Sequence, residues 1–219
     1  MALISHRLIL ASTSPRRREL LAHLGLPYDS TGSDFDEDAI PFTPADPGGW
    51  TLALARGKAL AVAQSVDGDA LVIGADTTVV LNGEVYGKPK DADDACRMLR
   101  ILSGTTHQVY TGVVVVPVSS GAIGSVSERY GVTNVTFKLL TDEFIHEYVA
   151  TGEPLDKAGA YGIQTHGLAL IDHITGDYYN VVGFPLQIVR ELLLPYRPDA
   201  GYAPAAPTLP FPVLTRNAS

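Results

Sequence analysis

Three consecutive arginines, Arg16, Arg17 and Arg18, follow Ser12-Thr13-Ser14-Pro15 directly after an apolar run. Pro15 suits the first position of a helix and Ser14 its N-cap. A helix start already presents unpaired N–H groups and a positive dipole end, so each cation there is unfavourable by a few tenths to about 1 kcal/mol. One arginine in this place reads as a solvated side chain. Three after a strand and a turn favour an anion held at the helix start, with guanidinium forks gripping phosphate.

Asp76, in Gly74-Ala75-Asp76-Thr77-Thr78, follows an apolar run and is expected at a strand edge facing a cleft. A carboxylate there can ligate a hard cation, act as a general base, or be an ordinary turn aspartate. Asp34, Asp36, Glu37 and Asp38 crowd one short segment. Such a run is commonly a solvated acidic loop, and bound Mg2+ would relieve its repulsion. Lys58 interrupts an otherwise apolar helical stretch and either snorkels or faces a site. Lys88, in Gly87-Lys88-Pro89, is placed to reach a phosphate. The histidines have no zinc-type spacing, and Cys96 lies near the inner face of its helix. Neither Gly-x-Ser-x-Gly nor the phosphate-loop pattern is present, which weakens serine-hydrolase and standard ATPase or GTPase readings. Together these residues point to an enzyme acting on a phosphate ester with a divalent metal.

The remaining composition bounds that reading. The chain has 219 residues, 16 Lys+Arg against 24 Asp+Glu, a net charge of −8 and 46% hydrophobic residues. It is long enough for a real core and too apolar for intrinsic disorder. The acidic balance argues against a nucleic-acid-coating role but permits a local anion pocket. A single cysteine fits a reducing compartment, and no signal peptide is read. The longest run without charged residues, Ile101 to Ser127, is broken by glycines and Pro117, so no membrane span is expected. A cytoplasmic protein is the expectation.

These residues need elements to hold them. Leu8–Ala11 reads as a strand, followed by a helix from Pro15 that Gly25 ends. A helix is expected from Trp50 to Gln64 after a turn-rich Pro41–Gly49. Ala70–Ala75 is a strand. Thr77–Leu81 and Glu84–Tyr86 form a hairpin about Asn82-Gly83, whose residues tolerate positive φ. Asp91 caps a helix with Ala95, Met98, Leu99 and Leu102 inside. Val109–Val118 and Val132–Leu140 read as strands, and Thr141 caps the next helix. Leu168–Ile174 and Tyr178–Val182 are expected to pair as a hairpin turning at Thr175-Gly176, before a last helix from Pro185. Hairpins among alternating helices and strands imply a mixed sheet. Residues 1–194 form one expected catalytic unit, and the proline-rich stretch 195–219 an extended or disordered tail.

The chain resembles the Maf family of nucleoside triphosphate pyrophosphatases, also described as septum-formation proteins. The resemblance rests on an ordered series: Leu10-Ala11-Ser12-Thr13-Ser14-Pro15-Arg16-Arg17, Asp36-Glu37, Ala55-Arg56-Gly57-Lys58-Ala59, Gly74-Ala75-Asp76-Thr77 and Gly87-Lys88-Pro89. It continues through Leu102 to His107, Gly152 to Gln164, and Asn180-Val181-Val182-Gly183-Phe184-Pro185. The resemblance implies a two-lobed, mixed-sheet α/β fold with a central cleft, like that of inosine triphosphate pyrophosphatases. It implies hydrolysis of a nucleoside triphosphate to the monophosphate and pyrophosphate, with Asp76 as proton acceptor. It further implies that Arg16, Thr77 and Gln164 bear on substrate selection, and that Glu37, Lys58 and Lys88 line the site. Ser12 and Arg17 join the substrate-binding set, and Glu37 with Asp76 would hold a divalent cation, Mg2+ or Mn2+. The Ala-Tyr-Gly-Ile-Gln run resembles the dTTP/UTP branch, although Thr165-His166-Gly167 stands where that pattern has glycine directly after the glutamine. Related enzymes are often homodimers. The competing reading is a nucleotide-binding regulator of cell division that acts by contact rather than catalysis.

Overall fold

The computed structural model describes residues 6–196. The apolar run forms β1 (Arg7–Ala11), and Pro15 opens α1 (Pro15–Ala22), where the Ser14 hydroxyl accepts the Arg17 backbone N–H at 3.5 Å. β2 (Asp29–Thr31) and a short 3-10 turn at Glu37–Ala39 lead to α2 (Pro47–Ala63). Then come β3 (Ala70–Leu81), β4 (Glu84–Tyr86), α3 (Ala92–Leu102), β5 (Thr106–Ser119), β6 (Ala122–Ile123) and β7 (Ser127–Phe137). The described chain closes with α4 (Asp142–Ala150), β8 (Ile171–Thr175), α5 (Tyr178–Val182) and α6 (Leu186–Leu193).

The strands make one mixed sheet in the order β2-β1-β3-β5-β7-β8, with β4 beside β3 and β6 beside β5. β1 runs parallel to β2 and β3, and the other pairings are antiparallel. Side chains alternate between the faces. Ile9, Val72, Val114 and Val116 pack under α2. Leu8, Leu10, Leu71, Ile73, Val113 and Val115 face the larger core, to which α1, α3, α4 and α6 contribute. Both faces of the central strands are therefore covered, which is why Leu71–Ile73 and Val113–Val116 read as unbroken apolar runs.

Several expected boundaries move. α2 begins at Pro47 rather than Trp50, because the Asp46 carboxylate accepts the Gly49 N–H at 2.9 Å and caps the helix. Asp76 does not stand at the end of a strand: Ala70 to Leu81 is a single strand, with Asp76 opposite Gly112 and Thr77 opposite Thr111 on β5. β7 starts earlier than Val132, since the polar Ser127–Gly131 pairs with Val115–Thr111, and it ends at Phe137. Tyr178–Val182 is a helix and not the second arm of a hairpin. The Asp177 side chain caps it at the Tyr179 N–H, and Gly183 closes it with φ of 106°. Of the expected tail, only Pro195 and Tyr196 are described, in a 3-10 turn with Leu194; 197–219 lies outside the described residues.

One close approach sets the position of α2. A Cβ built on Gly74 would lie 2.4 Å from the Ala55 carbonyl oxygen and 2.7 Å from the Ala59 Cβ. Only a glycine lets this helix lie so near β3. Gly74→Ala is expected to push α2 outward and to cost about 1–3 kcal/mol, read as a lowered midpoint in thermal unfolding.

Candidate functional site

β3 changes partners along one edge. Its pairing with β1 ends at Ile73, and its pairing with β4 begins at Val79. Among the described residues, no strand covers Gly74–Thr78 on that side. A cleft of about 950 Å³ opens there, lined by Ser12 from the β1–α1 turn, by Arg16 and Arg17 from the start of α1, by Lys58 from α2 and by Asp76 and Thr77. Glu37, Lys88 and Gln164 complete its wall. All nine candidate residues thus share one cavity, from six separate stretches of sequence. Arg18 does not line it; that exposed residue turns outward, its carbonyl accepting the Tyr28 hydroxyl at 2.7 Å.

Strand alternation sends neighbours Asp76 and Thr77 to opposite faces of the sheet. Asp76 points to the α2 side, where the Lys58 ammonium donates to Oδ1 at 2.5 Å. The same ammonium lies 3.0 Å from Glu37 Oε1. Lys58 and Asp76 are nearly enclosed, with side-chain exposures of 15% and 10%, whereas Glu37 is more open at 54%. The acidic loop is brought to α2 by Phe35, whose ring sits over Gly57 where a Cβ would lie 2.3 Å away. Of the four clustered carboxylates, only Glu37 and Asp38 line the cleft, while Asp36 caps the 3-10 turn through the Asp38 N–H.

Burial pushes the Asp76 carboxyl above the ordinary aspartate range, with Lys58 and Arg17 pulling it part of the way back. A carboxylate that is more basic than usual and held beside a cation suits proton abstraction. Burial likewise lowers the Arg17 guanidinium from its ordinary value, with Asp76 opposing. A partly desolvated cation of this kind is stabilised by an incoming anion. Arg17 donates to the Gly183 carbonyl at 2.9 Å, to Ser12 Oγ at 3.4 Å and to Thr77 Oγ1 at 3.1 Å. Arg16 reaches Asp156 at 3.1 Å, and Lys157 also holds Asp156, at 2.6 Å.

At the far wall stands Gln164. Its half-buried amide has no hydrogen-bond partner among the described residues and faces the cleft. The segment that carries it is fixed by Glu153, a residue to which the sequence motif gave no role. Glu153 accepts the backbone N–H groups of His166 at 3.2 Å and Gly167 at 3.4 Å, and the Tyr148 hydroxyl at 3.1 Å. The Tyr148 oxygen in turn accepts the Gly162 N–H at 3.2 Å. The only advance sign of this clamp was that Glu153 and Gln164 fall in one continuous motif. Cys96 is buried, 3.6 Å from His146 and away from the cleft. Among the described residues, no three His, Cys, Asp or Glu side chains cluster as a ready-made metal site. No described helix is long and apolar enough to cross a membrane.

Residues 7–195 match the family described as Maf-like protein. A dTTP/UTP pyrophosphatase of Moorella thermoacetica is 56% identical over 187 residues, covering 85% of this chain and 93% of that protein. A protein of the same description from Anaeromyxobacter dehalogenans is 53% identical, covering 85% and 92%, and one from Clostridium novyi is 47% identical, covering 85% and 95%. Among solved structures, the Staphylococcus aureus Ham1 protein aligns with a TM-score of 0.41 at 15% identity, over 87% of this chain and 91% of its own. The chain belongs to the Maf family.

Charged hydrogen bonds of the Glu153 kind contribute about 1.5–3 kcal/mol each. Glu153→Ala is therefore expected to speed amide exchange at His166 and Gly167 by about tenfold or more, while the amides of β3 stay protected; hydrogen-exchange mass spectrometry would read both.

Proposed function

We propose that this protein is a nucleoside triphosphate pyrophosphatase that converts dTTP, UTP and related or modified nucleotides to the monophosphate and pyrophosphate, so clearing the nucleotide pool. The observation that carries the reading is the opposition, across one cleft, of the Lys58-bound Asp76 carboxylate and the arginine-bearing helix start. A proton acceptor on one side of the open β3 edge and a phosphate-sized cationic fork on the other are what this hydrolysis needs. The names of the three relatives support the same substrate class.

In this reading Asp76 takes a proton from water as its oxygen bonds the α-phosphorus. The bond from that phosphorus to the α–β bridging oxygen breaks, and the electron pair leaves with pyrophosphate. Arg16, Arg17, Lys58 and Lys88 neutralise phosphate charge by fixed electrostatics. Ser12 adds a hydroxyl at the same end, and Thr77 holds the guanidinium. Gln164 offers a donor and an acceptor to a pyrimidine edge. Mg2+ or Mn2+ fits the donor set. Glu37 and Asp76 already share one cation, the Lys58 ammonium, and two carboxylates with substrate phosphate oxygens suit a hard divalent ion. When bound, such an ion supplies further neutralisation of the triphosphate. We place the enzyme in the cytoplasm, the reducing compartment that its lone Cys96 suits.

A pyrophosphate-release assay over a nucleotide panel tests the reading. Release from dTTP and UTP should need a divalent metal and should fall by about a hundredfold to ten-thousandfold in Asp76→Asn. The fold should survive that change, since Lys58 keeps Glu37 and the new amide oxygen still accepts. Near-normal turnover by Asp76→Asn would falsify the base assignment. Tight nucleotide binding by the wild type without turnover would instead favour a contact-acting regulator of septum formation.

The pH profile gives an independent check. Asp76 must be deprotonated to act, so kcat/KM rises as pH passes through its pKa. Burial places that acid limb above the ordinary value of 3.8. Lys58 pulls the carboxyl down, so Lys58→Met is expected to move the limb to higher pH. A limb left in place by this substitution would mean that another group titrates.

A further inference from the structure

Thr77 is anchored from behind by residues that do not line the cleft. Its hydroxyl lies 3.1 Å from the hydroxyl of Thr111, its cross-strand partner on β5. Thr111 is fully buried and lies 2.8 Å from the backbone carbonyl oxygen of Asn180 on α5. Asn180, also fully buried, is held in turn: its side-chain amide donates to the Val109 carbonyl at 2.9 Å and to Thr133 Oγ1 at 3.1 Å. The relay thus runs Arg17, Thr77, Thr111, Asn180, and crosses the sheet from the cleft into the larger core.

The polarity of this relay follows from which atoms can donate. A carbonyl oxygen only accepts, so the single Thr111 proton is spent on Asn180; reversing it would leave two acceptors facing each other at 2.8 Å. Thr111 must then accept from Thr77, which spends the one Thr77 proton away from the cleft. A guanidinium only donates, so Thr77 accepts from Arg17. Every bond points the same way, from Arg17 inward. Thr77 therefore has no proton left for a phosphate oxygen. Its part is to hold Arg17, whose Nε is fixed by the Gly183 carbonyl and whose Nη1 is fixed by Ser12. One N–H on each terminal guanidinium nitrogen remains uncommitted among the described residues, a geometry suited to two phosphate oxygens.

We propose that Thr111 is a positioning residue: through Thr77 it sets the orientation in which the Arg17 fork meets the phosphates of the substrate. This rests on the pyrophosphatase reading above and assigns a function to a residue outside the cleft. The effect belongs to the phosphates, so it is independent of the base.

Thr111→Val removes the hydroxyl at nearly constant volume. The Asn180 carbonyl keeps its bond from the Gly183 N–H at 3.1 Å, so no buried acceptor is orphaned. Thr111→Ser restores the hydroxyl without the methyl. Steady-state rates with dTTP and UTP, together with inhibition by inorganic pyrophosphate, would be measured well below each variant's melting temperature. Thr111→Val should lose about ten- to a hundredfold in kcat/KM, by the same factor for both nucleotides, and pyrophosphate should inhibit it more weakly. Thr111→Ser should recover most of that loss. Unchanged kinetics in Thr111→Val, a loss confined to one base, or a Thr111→Ser enzyme as impaired as Thr111→Val would each overturn the relay. A wild-type protein that releases no pyrophosphate would overturn the reading of function itself, and so is distinct from a failure of the relay alone.

Discussion

The Lys58 ammonium stands between two carboxylates, and much of the site is arranged around it. Removing one partner of a buried ion pair costs about 3–5 kcal/mol where the other is left uncompensated; here Lys58 also has Glu37, and Asp76 also has Arg17 near it. The sequence avoids that cost by a chain of small residues. Gly74 lets α2 lie against β3, so that a helix-borne ammonium can reach a strand-borne carboxylate. Gly57 lets Phe35 seat the acidic loop, which brings Glu37 to the same ammonium. The fold and the charge arrangement therefore depend on each other: closer packing makes the pair possible, and the pair ties α2, β3 and the loop together.

A second constraint is the period of two along β3. Because Asp76 and Thr77 are adjacent, they serve opposite faces of one strand, one beside α2 and the other beside α1. The cleft reaches both because β1 and β4 leave the intervening edge uncovered. A carboxylate and the hydroxyl that holds Arg17 are thus kept in fixed relation by backbone geometry, with no loop between them. The hydrogen bonds of β5 along the other edge make that geometry stiff.

Much of this could be read from the chain itself. Pro15 and Ser14 marked the start of α1, Asp91 and Thr141 capped their helices, and Asn82-Gly83 turned the β3–β4 hairpin, because each acts through local chemistry. The failures were tertiary. Tyr178–Val182 has strand-like composition, but the Asp177 cap and Gly183 at its end let it coil where α5 packs on β5 and β7. Asp76 looked like a strand end because a charge inside a doubly covered strand is unexpected, and nothing local announces that Lys58 will meet it. The candidate site residues were legible as motifs; of their supports, Glu153 and Asn180 fell within motifs but with no visible role, and Thr111 fell in none. Those residues act through backbone groups and buried hydroxyls, which leave no spacing pattern.

The Glu153 clamp holds one wall of the cleft separately from the others. The segment from Gly162 to Gly167 hangs from one carboxylate and one tyrosine, off the sheet, whereas Asp76, Arg17 and Lys58 belong to β3, α1 and α2. If Gln164 reads the base, as proposed, selectivity would sit on a segment held apart from the strand and helices that carry Asp76, Arg17 and Lys58. On that reading, its side chains could be exchanged without disturbing β3, α1 or α2, so long as the Glu153 carboxylate keeps its two backbone N–H groups.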